Sequence, residues 1–233
     1  MNSEHPSLDA VVAVVHRAGQ VALELGPRRP VLKSDGSWVT EADLAVSKVL
    51  QEALSQLLPS ASHLDEEHGG QVGPGLAWVV DPIDGTTNFK RGDDRWCVSV
   101  ALLSEGVPVL GVIHQPTLGR TWAADGCGPQ FPADGPGDAG VLIGGRVPFS
   151  VPRWYRMLRE TRGARSLRIS GSAALDFVDV ACGRAERVMA LGVGLWDYAA
   201  GMVLVQSMGG HVQRWPAGSR WDVVAHHRPL TAQ

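Results

Sequence analysis

Cysteine is scarce in this chain. Cys97, Cys127 and Cys182 are widely spaced among 233 residues, and no Cys-x-x-Cys pair occurs. They read as reduced thiols, two of them in apolar segments, so a cytoplasmic protein is expected. Long apolar runs are missing as well. None approaches the roughly 20 residues that span a bilayer, and no membrane partner is expected. Met1 to Pro6 is polar and lacks the basic-then-apolar pattern of a secretory signal. Nor is there a surplus of positive charge: 21 Lys and Arg stand against 24 Asp and Glu, and the net charge of −3 argues against a nucleic-acid partner. Three catalytic signatures are also lacking. The sequence contains no G-x-x-x-x-G-K-[ST], no G-x-S-x-G and no Cys-x5-Arg. A P-loop nucleotide hydrolase and a serine or cysteine nucleophile are therefore not indicated. Internal repeats and low-complexity tracts are absent too.

What is present is a globular composition, 44% apolar and 19% charged, in a chain long enough to bury a full core. The eight tryptophans read as packing. Helical spacing of apolar residues predicts a helix over Leu8–Leu25, stopped by Gly26. A second helix opens at Thr40-Glu41-Ala42-Asp43 and closes before Pro59, with loop or hairpin between the two. Leu76–Val80 reads as a short buried strand. Trp96–Leu103, Val107–His114 and Arg120–Ala124 read as three antiparallel strands, the first two joined at Ser104-Glu105-Gly106. Residues 126–145, rich in Gly, Pro and Asp, read as a loop that divides the chain into units 1–125 and 126–233. Helices are then expected over Val151–Arg162, Ser172–Cys182 and Asp197–Met208, with a strand at Val188–Leu191. This order alone implies mixed α and β structure with an antiparallel first half.

The richest segment is Asp81-Pro82-Ile83-Asp84-Gly85-Thr86-Thr87-Asn88-Phe89, which follows the apolar run Leu76–Val80. Two carboxylates thus end a strand, with Pro82 fixing φ between them and Gly85 free to bend the backbone. Thr86, Thr87 and Asn88 suit a turn or helix start. Fixed negative charge beside an anion-ready turn is consistent only if a hard cation sits between them, and Mg²⁺ binds one or two carboxylates plus phosphate oxygens. Taken alone, Asp84 is equally readable as an Asx cap of the turn.

Further acidic groups have two readings each. His63-Leu64-Asp65-Glu66-Glu67-His68-Gly69 is a solvated loop or a ligand-bearing one. Its histidines would admit zinc, yet an oxygen-only ligand set suits magnesium. Asp197, before an apolar helix, is a helix-dipole charge or a ligand. Asp43 completes a capping-box-like Thr40-x-x-Asp43 start. Six arginines fall every third residue from Arg153 to Arg168. That spacing drifts by about 60° per step on a helix, which makes a spiral and not a nucleic-acid stripe.

DPIDGTTNF resembles the signature of the inositol monophosphatase family, the magnesium-dependent, lithium-sensitive phosphatases. A second stretch, Trp196-Asp197-Tyr198-Ala199-Ala200-Gly201 running on to Gly209-Gly210, resembles the family's downstream signature. The likeness spans roughly Lys33 to Val212 and weakens between Pro129 and Arg165. It implies a layered αβαβα sandwich of the inositol monophosphatase and fructose-1,6-bisphosphatase type, trimmed near residues 128–148. It further implies two or three Mg²⁺ ions held by Glu66, Asp81, Asp84, Asp197 and the Ile83 carbonyl. Asp65 stands where the family usually has Gly before the ligand Glu66. By the same resemblance Asp43 and Thr86 orient an attacking water, with Lys33 and Asp35 upstream, and the amides of Gly85 and Thr86 hold phosphate. Arg168 through Ser172 and Ala173 resembles the segment lining the substrate site. At Ala190 the inositol-specific members carry a Glu that contacts ring hydroxyls. The resemblance implies a homodimeric hydrolase of a small phosphorylated metabolite, with inositol-1-phosphate as the default. Histidinol phosphate, a sugar phosphate or a natural-product intermediate are alternatives, as is a non-catalytic phosphate-binding protein of the same fold.

Overall fold

Ser7 opens the first helix by accepting the Ala10 amide, and α1 (Leu8–Leu25) runs to Gly26. The protein is seen here as a computed structural model, which describes residues 5–34, 36–131, 140–145 and 151–227. β1 (Val31–Leu32) and β2 (Trp38–Val39) form a small antiparallel hairpin, and Asp35 between them lies outside the described residues. Thr40 then caps α2 (Glu41–Leu57) in a reciprocal capping box with Asp43.

The chain continues through β3 (Ser62–Asp65), β4 (Gly69–Gly70), β5 (Leu76–Asp84), α3 (Thr86–Arg91), β6 (Cys97–Ser104), β7 (Val107–Gln115), β8 (Arg120–Asp125) and β9 (Gly128–Pro129). These strands make one sheet in the order β4-β3-β5-β6-β7-β8-β9. Its antiparallel strands β6, β7 and β8 lie where the sequence predicts them. The segment read as an acidic loop differs: Ser62–Asp65 is a strand that pairs in parallel with β5.

The second half contains β10 (Gly140–Gly145), α4 (Val151–Thr161), β11 (Ser166–Arg168), α5 (Ala173–Ala181), β12 (Arg187–Val193), α6 (Ala199–Ser207), β13 (His211–Ala217) and β14 (Arg220–His226). Its sheet has the order β11-β10-β12-β14-β13, with β10 parallel to both its neighbours. Residues 140–145 therefore correct the loop expected over 126–145. Pairing on both sides holds this glycine-flanked segment extended against its weak local propensity. Of the segment 128–148, where a trimmed edge strand or hairpin is expected, residues 132–139 and 146–148 lie outside the described residues. Asp197 likewise precedes its helix, which begins at Ala199.

Side-chain alternation along the strands stacks five layers. On the first sheet Trp78, Val80, Val98, Val100 and Leu102 pack with α1 and α2, while Ala77, Val79, Ala101 and Leu103 pack with α5 and α6. On the second sheet Val188, Ala190, Val223 and Ala225 face the same middle helices. Met189, Leu191 and Val224 face outward, where Met157 of α4 covers them. The order helix, sheet, helix, sheet, helix is the expected αβαβα sandwich.

The middle helices sit close to the first sheet because Gly111 of β7 has no side chain. A Cβ there would lie 2.6 Å from the Ala200 carbonyl oxygen and 2.9 Å from its Cα. Both are backbone atoms, which cannot swing away. Gly111→Ala is expected to lower unfolding free energy by about 1–3 kcal/mol, the usual range for overpacking. Urea denaturation checks this, and an unchanged midpoint would mean that α6 shifts without strain.

Candidate metal centre and active site

Three elements bring four acidic side chains to one place. β5 ends in Asp81 and Asp84, separated by a register irregularity in its pairing with β6. The turn after β3 carries Glu66, whose amide donates to the Val80 carbonyl at 3.2 Å and so fastens the turn to β5. The loop before α6 carries Asp197, whose Oδ2 accepts the Gly194 amide at 2.6 Å. Glu66, Asp81 and Asp197 each offer a carboxylate oxygen within 4.8 Å of the others.

Asp65 shapes that turn. Its Oδ1 accepts the amides of Glu67 at 2.7 Å and His68 at 3.1 Å, and its Oδ2 accepts the Ser47 hydroxyl at 2.6 Å. The carboxylate thus bends the backbone by hydrogen bonding. Beside it Lys33 pairs with Glu67 at 2.6 Å and approaches Glu66 at 3.6 Å. His63 and His68 bond Ser55 and Ser47 and are not part of the carboxylate cluster.

Asp84 has a double attachment. Its Oδ2 accepts the Ser172 hydroxyl at 2.5 Å and the Ala174 amide at 2.8 Å, while Oδ1 accepts the Ala173 amide at 3.3 Å. It therefore receives the N-terminus of α5, where amide dipoles favour negative charge. The segment entering α5 is itself tied down. Arg95 bridges Asp176 at 2.8 Å and Asp179 at 2.7 Å, and Ser170 donates to Asp176 at 2.5 Å. Asn88 donates to the carbonyls of Arg95 and Ser170, joining α3 to the same segment. Sequence reasoning missed this Arg95 clamp, because its members lie some eighty residues apart.

Thr86 and Asp43 meet from opposite sides of the motif. Thr40 donates its amide to Asp43 Oδ2 at 2.8 Å, which leaves Oδ1 facing Thr86 Oγ1 at 3.3 Å. Thr86 Oγ1 also lies 3.0 Å from the Ile83 carbonyl. Gly85 turns the chain into α3 with φ 93°, a left-handed conformation, and a Cβ there would sit 3.0 Å from the Arg95 carbonyl.

A cavity of about 470 Å³ opens over these groups. Glu66, Asp81, Ile83, Asp84, Gly85, Thr86, Ser172, Ala173 and Asp197 all line it. Two expected substrate contacts do not. Arg168 is exposed on β11, outside the lining, and Ala190 is fully buried toward the middle helices. Strand alternation and sheet pairing decide both placements. Trp38, Arg91 and Arg220 do line the cavity, and no local signal in the sequence announced them.

Burial and mutual repulsion govern the charges. Desolvation first, then the Asp197 charge, push Glu66 up to about 8. Asp81 is raised well above the ordinary range by complete burial and by Glu66, Asp84 and Asp197. Asp84 is raised by burial too, although the Ser172 and α5 amide bonds oppose the shift. Asp81 Oδ1 is buried without a hydrogen-bond partner. A buried, unsatisfied carboxylate oxygen facing two other carboxylates fits a hard divalent cation, and the all-oxygen donor set fits magnesium.

The five-layer fold with this acidic cavity marks a metal-dependent phosphomonoesterase. The chain belongs to the inositol monophosphatase family, whose profile matches residues 4–233. It is similar to the Nus factor SuhB of Xylella fastidiosa, 33% identical over 225 residues, which cover 90% of this chain and 82% of that protein. It is also similar to the inositol-1-monophosphatase of Synechocystis sp., 34% identical over 77% of this chain and 68% of that protein. The extragenic suppressor protein suhB of Bartonella henselae superposes with a TM-score of 0.82 at 28% identity, over 94% of this chain and 92% of that one. The family depends on Mg²⁺, and no described helix is long and apolar enough to cross a membrane.

Stability should follow the protons on this cluster. Between the ordinary Glu value of 4.5 and about 8, the folded protein holds a proton on Glu66 that the unfolded chain has released. Metal-free stability from this group therefore falls as pH rises through that window, and Asp81 acts in the same direction. Mg²⁺ held there would take the place of the protons. Its addition is expected to raise the melting temperature more near pH 8 than near pH 5.5. Thermal scans with chelator or Mg²⁺ at both pH values check this, and an equal rise at both would exclude the cluster as the binding site.

Proposed function

We propose that this chain hydrolyses a small phosphomonoester with water as nucleophile. Glu66, Asp81, Asp84, Asp197 and the Ile83 carbonyl would hold two or three Mg²⁺ ions. The observation that carries the reading is the triad of Glu66, Asp197 and the buried Asp81 beside the Thr86–Asp43 contact. Bound Mg²⁺ supplies positive charge that lowers the pKa of water and stabilises the leaving oxygen.

The chain's own groups handle the proton. Asp43 Oδ2 is occupied by Thr40, so Oδ1 is the oxygen available to Thr86. When Thr86 donates its hydroxyl hydrogen bond to Asp43, its oxygen lone pairs can accept a hydrogen bond from a neighbouring water, and the proton that the water loses on attack passes through the Thr86 hydroxyl to the Asp43 carboxylate. Asp43, raised by burial, is a better base than an exposed aspartate. The amides of Gly85 and Thr86, at the start of α3, point the phosphate toward that water. Lys33 compensates Glu67 and Glu66 at the rim.

Inositol-1-phosphate is the default substrate, supported by the inositol-1-monophosphatase relative in Synechocystis. Histidinol phosphate, sugar phosphates and natural-product intermediates use the same chemistry. A non-catalytic role is disfavoured, since every expected carboxylate ligand lines the cavity. The described cysteines form no disulfide, which supports a cytoplasmic location. A homodimer is part of the same reading, by resemblance alone.

Phosphate release from a panel of phosphomonoesters with Mg²⁺ tests the proposal. Chelation should abolish release and Mg²⁺ restore it. Thr86→Ala should lower kcat by about 10²–10⁴-fold, the range for general acid–base groups, while the fold persists. Full turnover in chelator, or an unaffected Thr86→Ala enzyme, would overturn the reading.

A further inference from the structure

The cavity has an acidic floor and a basic mouth. Of its charged lining residues, Glu66, Asp81, Asp84 and Asp197 are the expected metal ligands. The two that remain, Arg91 and Arg220, are both positive. They reach the cavity from opposite halves of the chain, Arg91 from the last residue of α3 and Arg220 from the first of β14.

The two tryptophans of the cavity engage Arg220 and a neighbour of Arg91, Lys90. Lys90 Nζ lies 3.2 Å from the Trp38 ring centroid, and the Arg220 guanidinium lies 5.9 Å from that of Trp196. Indole faces engaged by cations in this way hold charge in position; they are not open platforms for a base. Lys90 thereby adds a third positive charge near the mouth. Positive side chains grouped at the entrance raise the local potential for incoming anions. A neutral polyol finds little there by contrast. The lining offers it no carboxylate acceptor beyond the metal set, and Gly144, Gly192 and Val193 form the nearby wall.

We infer that the mouth of this cavity is an anion subsite, and that the substrate is a phosphomonoester whose leaving group carries a second negative group received by Arg91 and Arg220. A carboxylate and a further phosphate share the needed chemistry, because the guanidinium fork bonds either in bidentate fashion. The inference rests on the phosphatase reading above and narrows its substrate class.

The test compares 2-phosphoglycerate with glycerol-2-phosphate. Both carry the phosphate on a secondary carbon, and they differ by a carboxylate in place of a hydroxymethyl group. Wild-type kcat/KM with Mg²⁺ is expected to favour 2-phosphoglycerate by about tenfold, which is ~1.4 kcal/mol of discrimination. Arg91→Gln and Arg220→Gln should each reduce that ratio, and the double variant should bring it near one. Arg→Lys at either position keeps the charge and should recover part of it. A second arm measures melting temperature with Mg²⁺ and each ligand, which reads the subsite independently of turnover and reports whether each variant is folded. Equal kcat/KM and equal thermal shifts for the two ligands in the wild type would overturn the subsite and leave the phosphatase reading intact. A preference that survives in the folded double variant would also overturn it. Absence of phosphate release from both ligands, with a larger thermal shift from 2-phosphoglycerate that the double variant loses, would support the subsite while defeating the phosphatase reading.

Discussion

Glu66, Asp81 and Asp197 hold ligand oxygens within 4.8 Å of one another in a largely buried site. Two unit charges at ~4 Å repel by about 4 kcal/mol at an effective dielectric of 20, so such a cluster is unfavourable unless protons or cations occupy it. Much of the surrounding architecture answers this constraint. Hydrogen bonds hold the carboxylates where repulsion would otherwise drive them apart. The Glu66 turn is pinned to Val80, Asp197 is fixed by the Gly194 amide, and Asp84 is held by the start of α5. Each attachment uses a backbone amide, which long side-chain motion cannot withdraw.

The carboxylates were legible in the sequence because they interrupt apolar runs at definite places. Asp81 and Asp84 follow Leu76–Val80 with a proline between them, and a strand ending in charge is a local pattern that needs no knowledge of the partner strand. The same holds for Thr40 and Asp43. Their spacing marks a helix start, and the structure shows the capping box. That cap occupies one oxygen of Asp43 and leaves the other beside Thr86, so the local and the chemical readings are compatible.

What could not be read depends on long-range pairing. The family resemblance puts Ala190 among the substrate contacts, yet β12 turns it toward the middle helices. A side chain's face is set by the register of its sheet, and register is invisible in one strand. Residues 140–145 looked like loop because glycine flanks them, although two neighbouring strands hold them extended. The hairpin β13–β14 has no clear strand pattern in the sequence, because its first strand mixes His, Gln, Arg and Pro with apolar residues. It nevertheless brings Arg220 to the cavity. Arg95 shows the same limit, since its partners Asp176 and Asp179 come from a helix far along the chain.

Asp84 belongs to the first sheet, while the amides it accepts belong to the helix layer that the second sheet also covers. A single carboxylate therefore sits astride the seam between the two halves of the molecule. Any ion or ligand that engages it loads both halves at once. Occupancy of the centre then adds to the shared middle-layer core that already joins the two sheets, and couples their melting more tightly. The molecule's unfolding cooperativity becomes a property of its active site, and a denaturation curve that sharpens on loading would be that coupling made visible in the transition's width.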